Sequence, residues 1–343
     1  MDKLLSLQQK IVPEVIPLLL SRYQILRSIR YLQPVGRRAL AEKLQLQERK
    51  IRNEVDVLKE HELVSYSPAG MQVTPDGDAL LWELEEYIRE IQGLRILEDQ
   101  IAALYQVKQV IMVPGDSDGD QSVKKDLARV TAQFLLQNLT DGAILAVTGG
   151  TTLAEVANIL PTSQLKRSIT VVPARGGLGE DVEIQANTVA ANIAKGVGAN
   201  YRLLHAPDDL RVKTMQTIAG EPKIKEVLDL LRQADMVLHG IGSAEEITKR
   251  RGMTDEKIKE ILSKGAIGEA FGYYFAQDGT VVHSTSSVGL QLNELEFIDE
   301  VVAVAGGKSK AMAVKAVLSN APRDILIIDE GAARALVDDL GKA

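Results

Sequence analysis

From about residue 107 onward, short apolar runs end in turns marked by glycine or proline, and helix-like patterns follow. The runs are VIMVPG (110–115), AILAVTGG (143–150), ITVVPARGG (169–177), YRLLHAP (201–207), MVLHGIGS (236–243), VVAVAGG (301–307) and DILIIDEGA (324–332). Helical stretches such as TTLAEVANIL, VEIQANTVAANIAKGVG and KAMAVKAVL lie between them. Uniformly apolar strands are covered on both faces, and strands alternating with helices build a mostly parallel sheet. A doubly wound, Rossmann-like α/β domain over 107–343 is therefore predicted. Ligands of such sheets bind where strand ends meet helix starts.

Several of these junctions suit an anion. In TGGTT, Gly149 and Gly150 let backbone N–H groups approach a ligand, Thr151 and Thr152 add hydroxyls, and the helix start adds positive potential. In VAGGKSK (304–310), Gly306 and Gly307 offer a second cradle beside Lys308 and Lys310. Arg175 stands in PARGG, and Arg250 and Arg251 in KRRGM (249–253). Each feature alone has a plainer explanation: a tight βα connection, or a solvated cation. Together they predict a ligand with two anionic ends, such as a sugar bisphosphate. Glu269, in IGEAFGYYF, and Gln185 suit the hydroxyls between those ends, although a capping or solvated role is the plainer reading of either residue.

Nucleotide fingerprints fail. A P-loop ending in GGKS needs glycine at position 302, where Val302 stands. GGLGED, GVGANY and GIGSAE each lack one element of G-x-G-x-x-G. The chain has no cysteine, and its four histidines lie far apart, so no metal and no cofactor are expected.

Charge is unevenly distributed. Between Arg22 and Glu62, ten basic against six acidic residues give +4, which leaves −11 for the rest of a chain whose net charge is −7. Within that basic stretch, RYQILRSIRYL (22–32) places Ile25, Ile29 and Leu32 at helical spacing. Pro34 and Gly36 break the chain. RRALAEKLQ (37–45) predicts a short helix burying Ala39, Leu40 and Leu44, and Leu46 and Gln47 make a tight connection. ERKIRNEVDVLKEHEL (48–63) buries Ile51, Val55 and Leu58, with Arg49, Arg52, Asn53 and Asp56 on the opposite side. LVSY and MQVT flank SPAG as a hairpin. This order describes a winged helix-turn-helix over 1–77. Arg49, Lys50, Arg52 and Asn53 are candidates for base or backbone contact, and Arg37, Arg38 and Lys43 for phosphates. A protein-docking module is the alternative, but element order and local charge together favour DNA.

DALLWELEEYIREIQGLRILEDQIAALYQ (78–106) carries a long apolar helical stripe interrupted by Gly93. It is read as a helical connector, packing within the chain or pairing with a second copy; a two-fold protein matches a palindromic site. The first residues, MDKLLSLQQKIVPEVIPLLLSRYQ, lack a basic leader region, and polar residues and prolines interrupt their apolar run. They are read as an amphipathic lead-in, not a signal peptide, and a cytoplasmic protein with no membrane partner is expected.

RRALAEKL…ERKIRNEVDVLKEHELV, VTGGTTLAEVA, PARGG, ITKRRGM, AIGEAFGYYF and VAGGKSKAMAV, taken together, closely resemble the SorC/DeoR group of sugar-responsive repressors, and within it the regulators of glycolytic genes in Gram-positive bacteria. The resemblance covers essentially the whole chain. It implies an effector domain related to sugar-phosphate isomerases and deaminases, with fructose 1,6-bisphosphate as inducer of a glycolytic repressor. Carried over, Gly149, Gly150, Thr151, Thr152 and Lys310 hold phosphate, and Arg175, Gln185, Arg250, Arg251 and Glu269 complete the site. The resemblance also implies a homo-oligomer, a tetramer on operator DNA, with ligand weakening cooperation between dimers. The alternative function is an isomerase or deaminase with an accessory DNA-binding domain, in which Glu269 is the base.

Overall fold

The computed structural model describes residues 10–160, 168–177, 181–207, 212–320 and 324–340. The first nine residues of the lead-in, and Leu178–Glu180 of GGLGED, lie outside the described residues. The chain divides into two compact units, Met1–Arg95 and Ile96–Ala343.

The first unit has helices α1 (Val15–Leu32), α2 (Arg37–Leu44) and α3 (Glu48–Glu60), a hairpin of β1 (Val64–Ser67) and β2 (Gly70–Val73), and helix α4 (Pro75–Ile91). Its core joins Ile25, Leu26 and Ile29 of α1, Leu40 and Ala41 of α2, Ile51, Val55 and Leu58 of α3, Met71 of β2, and Leu81 and Ile88 of α4. Gln45 ends α2 in the left-handed region (φ 54°), and the Leu46 N–H donates back to Ala41 O at 3.0 Å. That closure turns the chain sharply into α3. One core expectation fails here. Ala39 is exposed and Ala41 is buried instead. In so short a helix Leu40 sets the inner face, and its two neighbours fall on opposite sides of it. Leu32 has the right helical angle but lies a turn beyond the core, and it is 40 % exposed.

The stretch 78–106 forms two helices. They break at Gly93, whose φ is +68°, and α5 (Leu94–Tyr105) follows. Leu81 and Ile88 of α4 complete the first core, whereas Leu97 and Ile101 of α5 are buried beyond the unit boundary's first residue. The apolar stripe thus belongs to two helices rather than one.

The second unit continues with β3 (Gln109–Val113), α6 (Gln121–Asn138), β4 (Ile144–Val147), α7 (Thr151–Ile159), β5 (Thr170–Pro173), α8 (Ala186–Val197), β6 (Asn200–Tyr201), α9 (Val212–Gly220), α10 (Pro222–Leu231) and β7 (Met236–Gly240). Next come β8 (Gly242–Ser243), α11 (Ala244–Arg250), α12 (Asp255–Ser263), β9 (Gly268–Ala270), β10 (Tyr273–Phe275), β11 (Val281–Ser284), β12 (Glu300–Ala305), α13 (Ala311–Asn320), β13 (Ile325–Asp329) and α14 (Glu330–Leu340). The main sheet has the order β3-β13-β12-β7-β4-β5-β6, and every pairing in it is parallel. Leu145, Val147, Val171, Leu238, Val302, Val304 and Ile327 fill its core from the strands. Of YRLLHAP only Tyr201 lies in a strand, the two-residue edge strand β6, although the Arg202 N–H still donates to Val171 O at 3.1 Å.

From β4 the chain builds outward through β5 and β6, then returns to place β7 on β4's other side. The strand order therefore reverses between β4 and β7, and a crevice opens beyond their carboxyl ends. A four-stranded antiparallel sheet, β11-β10-β9-β8, follows directly from β7. The alternation of apolar runs gave no sign of it.

Candidate ligand cavity and DNA-facing helix

A cavity of about 460 Å³ occupies the crevice at the strand-order reversal. Its floor is the β4–α7 junction. Gly150 precedes α7 with φ +123°, and no side chain caps the helix. The first intrahelical bond runs from the Ala154 N–H to Gly150 O at 2.9 Å, so the Thr151, Thr152 and Leu153 amides have no carbonyl of the helix behind them. Those donors and the helix dipole make the junction attractive to an anion. Gly149 also has a packing role that the sequence did not suggest. A Cβ on Gly149 would collide with Ile184 O and Ala186 N of the chain's own 182–186 segment, and the Gly150 N–H donates to Ile184 O at 2.8 Å. Gly149 admits a neighbouring loop, and that loop brings Gln185 to the cavity wall.

The ten residues that the resemblance assigned to the ligand all line this one cavity. Gly149, Gly150, Thr151 and Thr152 come from the β4–α7 junction, Arg175 from the end of β5, and Gln185 from the start of α8. Arg250 and Arg251 come from the end of α11, Glu269 from β9, and Lys310 from the turn before α13. Chain folding gathers them from segments far apart in sequence.

Glu269 is 6 % exposed and Arg175 7 %. Arg251 Nη2 donates to Glu269 Oε1 at 3.0 Å, and Arg251 Nη1 donates to Tyr274 Oη at 3.2 Å and to Thr285 Oγ1 at 3.0 Å. Arg175 Nη1 stands 3.9 Å from the same carboxylate oxygen, which also accepts the Gly272 N–H at 2.6 Å. Arg251 is thus built into the wall, whereas Arg250 makes no hydrogen bond or ion pair among the described residues. Burial pushes the Tyr274 hydroxyl up to about 12, against the opposing effect of the Arg251 charge. Lys124 of α6 is held below the usual lysine range, first by burial and then by the like charges of Lys310 and Arg250. Cations are crowded around this cavity, which favours an anionic guest.

The second predicted cradle is already filled. Gly307 N–H donates to Asp329 Oδ2 at 2.7 Å, Lys308 N–H to Asp116 Oδ1 at 3.1 Å, and Ser309 N–H to Asp118 Oδ2 at 2.7 Å. The turn does attract anions, but the chain's own carboxylates occupy it. Neither Gly306 nor Gly307 lines the cavity; only Lys310 of VAGGKSK does.

Phe271, Thr285, His283 and Lys257 also line the cavity and were missed in the sequence. Phe271 and Gly272, with φ of +55° and +85°, form the two-residue connection of the β9–β10 hairpin. Phe271 holds this conformation while its ring packs 4.4 Å from the His239 ring. The Phe-Gly pair is flanked by Gly268–Ala270 and Tyr273–Phe275, and of these only the second is a strand-prone aromatic triplet.

In the first unit, Arg49, Lys50, Arg52 and Asn53 are all exposed on α3, opposite Ile51, Val55 and Leu58. Arg38 and Lys43 are exposed on α2. Arg37 Nε donates to Tyr66 Oη of β1 at 3.2 Å, and the Tyr66 ring lies 5.3 Å from the Arg37 guanidinium carbon and 5.2 Å from Lys59 Nζ. That hydrogen bond holds Arg37 above the usual guanidinium range. Tyr66 and Lys59 extend the basic face onto the hairpin. The sequence alone gave no pairing for them.

Among the described residues, no helix is long and apolar enough to cross a membrane. Residues 18–88 match the family model described as "CggR N-terminal DNA binding domain", and residues 89–338 match the "Putative sugar-binding domain". The chain is 45 % identical over 340 residues to the central glycolytic genes regulator of Priestia megaterium, covering 99 % of each. It is 41 % identical over 339 residues to the protein of that name in Bacillus subtilis, covering 99 % of this chain and 100 % of that one. A SorC family transcriptional regulator from Enterococcus faecalis, known from its crystal structure, matches 70 % of this chain and 99 % of its own, with 41 % identity and a TM-score of 0.65. A DNA-binding module and a sugar-binding module thus lie in one chain, each supported by its own match, and the chain belongs to the central glycolytic genes regulators, DNA-binding transcriptional regulators with a SorC-type sugar-binding domain.

Proposed function

We propose that this protein represses glycolytic genes and that fructose 1,6-bisphosphate, bound in the β4–β7 cavity, relieves the repression. The observation that carries this reading is the convergence of Thr151, Thr152, Arg175, Arg250, Arg251 and Lys310 on one cavity whose floor is an uncapped helix start. One phosphate sits on the α7 amides with the Thr151 and Thr152 hydroxyls and Lys310. The second is held by side-chain cations, Arg250 foremost, because the other glycine turn is filled by carboxylates. Gln185 and Glu269 address the sugar hydroxyls. Other hexose or triose phosphates fit part of the site and compete for it.

On DNA, α3 enters the major groove, with Arg49, Lys50, Arg52 and Asn53 facing the bases and their backbone, and Arg37, Arg38 and Lys43 holding phosphates. The protein acts in the cytoplasm as a homo-oligomer, dimer or tetramer, on a palindromic operator. The sugar bisphosphate regulates it by binding one conformation or assembly more tightly than another. Catalysis is not required by this reading. Glu269, the residue an isomerase would need as a base, has its Oε1 engaged by Arg251 and by the Gly272 amide.

A gel-shift titration on the operator of a glycolytic gene cluster tests the proposal. Fructose 1,6-bisphosphate should change the number or stability of the protein–DNA complexes. Complexes that stay unchanged at saturating ligand would exclude it as the inducer. Turnover of any sugar phosphate that is lost in Glu269→Gln would instead establish the enzyme reading.

A further inference from the structure

The filled turn at residues 307–310 has a consequence for the cavity. Lys310 reaches the cavity from the single turn Lys308–Lys310, which bridges β12 and α13. Three successive amides of this segment, those of Gly307, Lys308 and Ser309, are held by carboxylates from elsewhere in the chain. Ser309 is gripped twice, since its hydroxyl also donates to Asp118 Oδ1 at 3.0 Å. The Lys310 N–H then closes the turn onto Gly307 O at 2.9 Å. Asp116 and Asp118 belong to the loop between β3 and α6, and Asp329 ties that loop to the turn by also accepting the Ser117 N–H at 2.9 Å. The loop is itself folded around Asp116, whose carbonyl accepts the Asp120 N–H at 3.0 Å. Gly307 has φ +100°, and a Cβ there would meet the Asp118 carboxylate. Neither Asp116 nor Asp118 lines the cavity.

We propose that Asp118, assisted by Asp116, is a positioning residue for the phosphate site: it clamps the 307–310 turn and so fixes where Lys310 meets the ligand. A lysine has a flexible four-carbon stem, so its ammonium is delivered to a phosphate at low entropic cost only when its backbone anchor is fixed. Carboxylates bonded to consecutive amides fix that anchor and satisfy donors that no helix carbonyl can reach. A purely electrostatic role predicts the opposite outcome, because removing negative charge near Lys310 would strengthen anion binding.

This inference rests on the proposed phosphate role of Lys310, and a double-mutant cycle separates the two. Binding of fructose 1,6-bisphosphate to the full-length protein is measured by calorimetry for the wild type, Asp118→Asn, Lys310→Met and the double variant, with melting curves for each. Asp118→Asn should weaken binding about five- to tenfold in the Lys310 background and less than twofold in the Lys310→Met background. Ser309→Ala, which removes one of the two grips on the turn, should show a smaller loss with the same dependence on Lys310. Equal losses in both backgrounds, unchanged affinity, or tighter binding by Asp118→Asn would each overturn the positioning role. An unaltered affinity in Lys310→Met alone would instead refute the phosphate role on which it rests.

Discussion

Arg251 and Glu269 form a buried ion pair, 3.0 Å from Nη2 to Oε1, in the wall of the ligand cavity. The carboxylate also faces Arg175 and accepts the Gly272 amide. Both side chains are largely buried, so neither charge is solvated well on its own. Glu269→Gln keeps the shape and removes the charge that compensates two guanidiniums. The second unit should lose about 2–4 kcal/mol, read by chemical denaturation. A loss under about 1 kcal/mol would mean that the arginines have other compensation.

Gly149→Ala places a methyl group against Ile184 O and Ala186 N. The 182–186 segment must then shift and carry Gln185 away from the cavity. Fructose 1,6-bisphosphate affinity should fall at least tenfold, while operator binding without ligand stays near wild type. Thr152→Val should give the same phenotype, a repressor that no longer responds. Normal induction in both variants would remove the α7 start from the site.

The exposed side of α3 predicts the reverse separation. Arg52→Ala or Asn53→Ala should weaken operator binding by about 1–3 kcal/mol, if each contacts a base edge. Calorimetric affinity for the sugar bisphosphate should be unaffected. Equal operator affinity for the wild type and both variants would point away from α3 as the reading helix.

Tyr66 ties the hairpin to the start of α2 through its hydroxyl, which accepts from Arg37. Tyr66→Phe keeps the ring beside Arg37 and Lys59 but removes that acceptor. If Arg37 holds a DNA phosphate, operator affinity should drop about threefold, and Arg37→Ala should reduce the slope of log affinity against log salt by about 1. An unchanged salt slope in Arg37→Ala would show that the residue only packs the hairpin.

Burial raises the Tyr274 hydroxyl from its ordinary 10.0 to about 12. The folded state thus favours the neutral phenol more than the unfolded chain does. Its contribution is complete below pH 10 and disappears as the pH rises toward 12, a loss of about 3 kcal/mol. Tyr274→Phe should remove this alkaline step from a plot of stability against pH. If the step persists in that variant, another group causes it.

Much of this architecture could be read from local sequence. Apolar runs that alternate with helical patterns dictate a parallel sheet, because such strands must be covered on both faces and joined by crossovers. Ile51, Val55 and Leu58 give α3 its buried side, and so expose Arg49, Arg52 and Asn53 on the other. Helical phase is a short-range property, and the burial it predicts fails at Ala39 of an eight-residue helix, where neighbours outweigh the period. TGGTT and VAGGKSK, in contrast, were equivalent as sequence: two glycines, a helix start and polar donors. The tertiary structure separated them. Asp118 stands 191 residues from Ser309, and its carboxylate, with those of Asp116 and Asp329, occupies the second turn. Folding leaves the first turn open at the strand-order reversal. Local sequence determined which turns could hold an anion; long-range folding decided which one the protein fills itself, because a backbone donor bonds whichever acceptor the fold brings within reach.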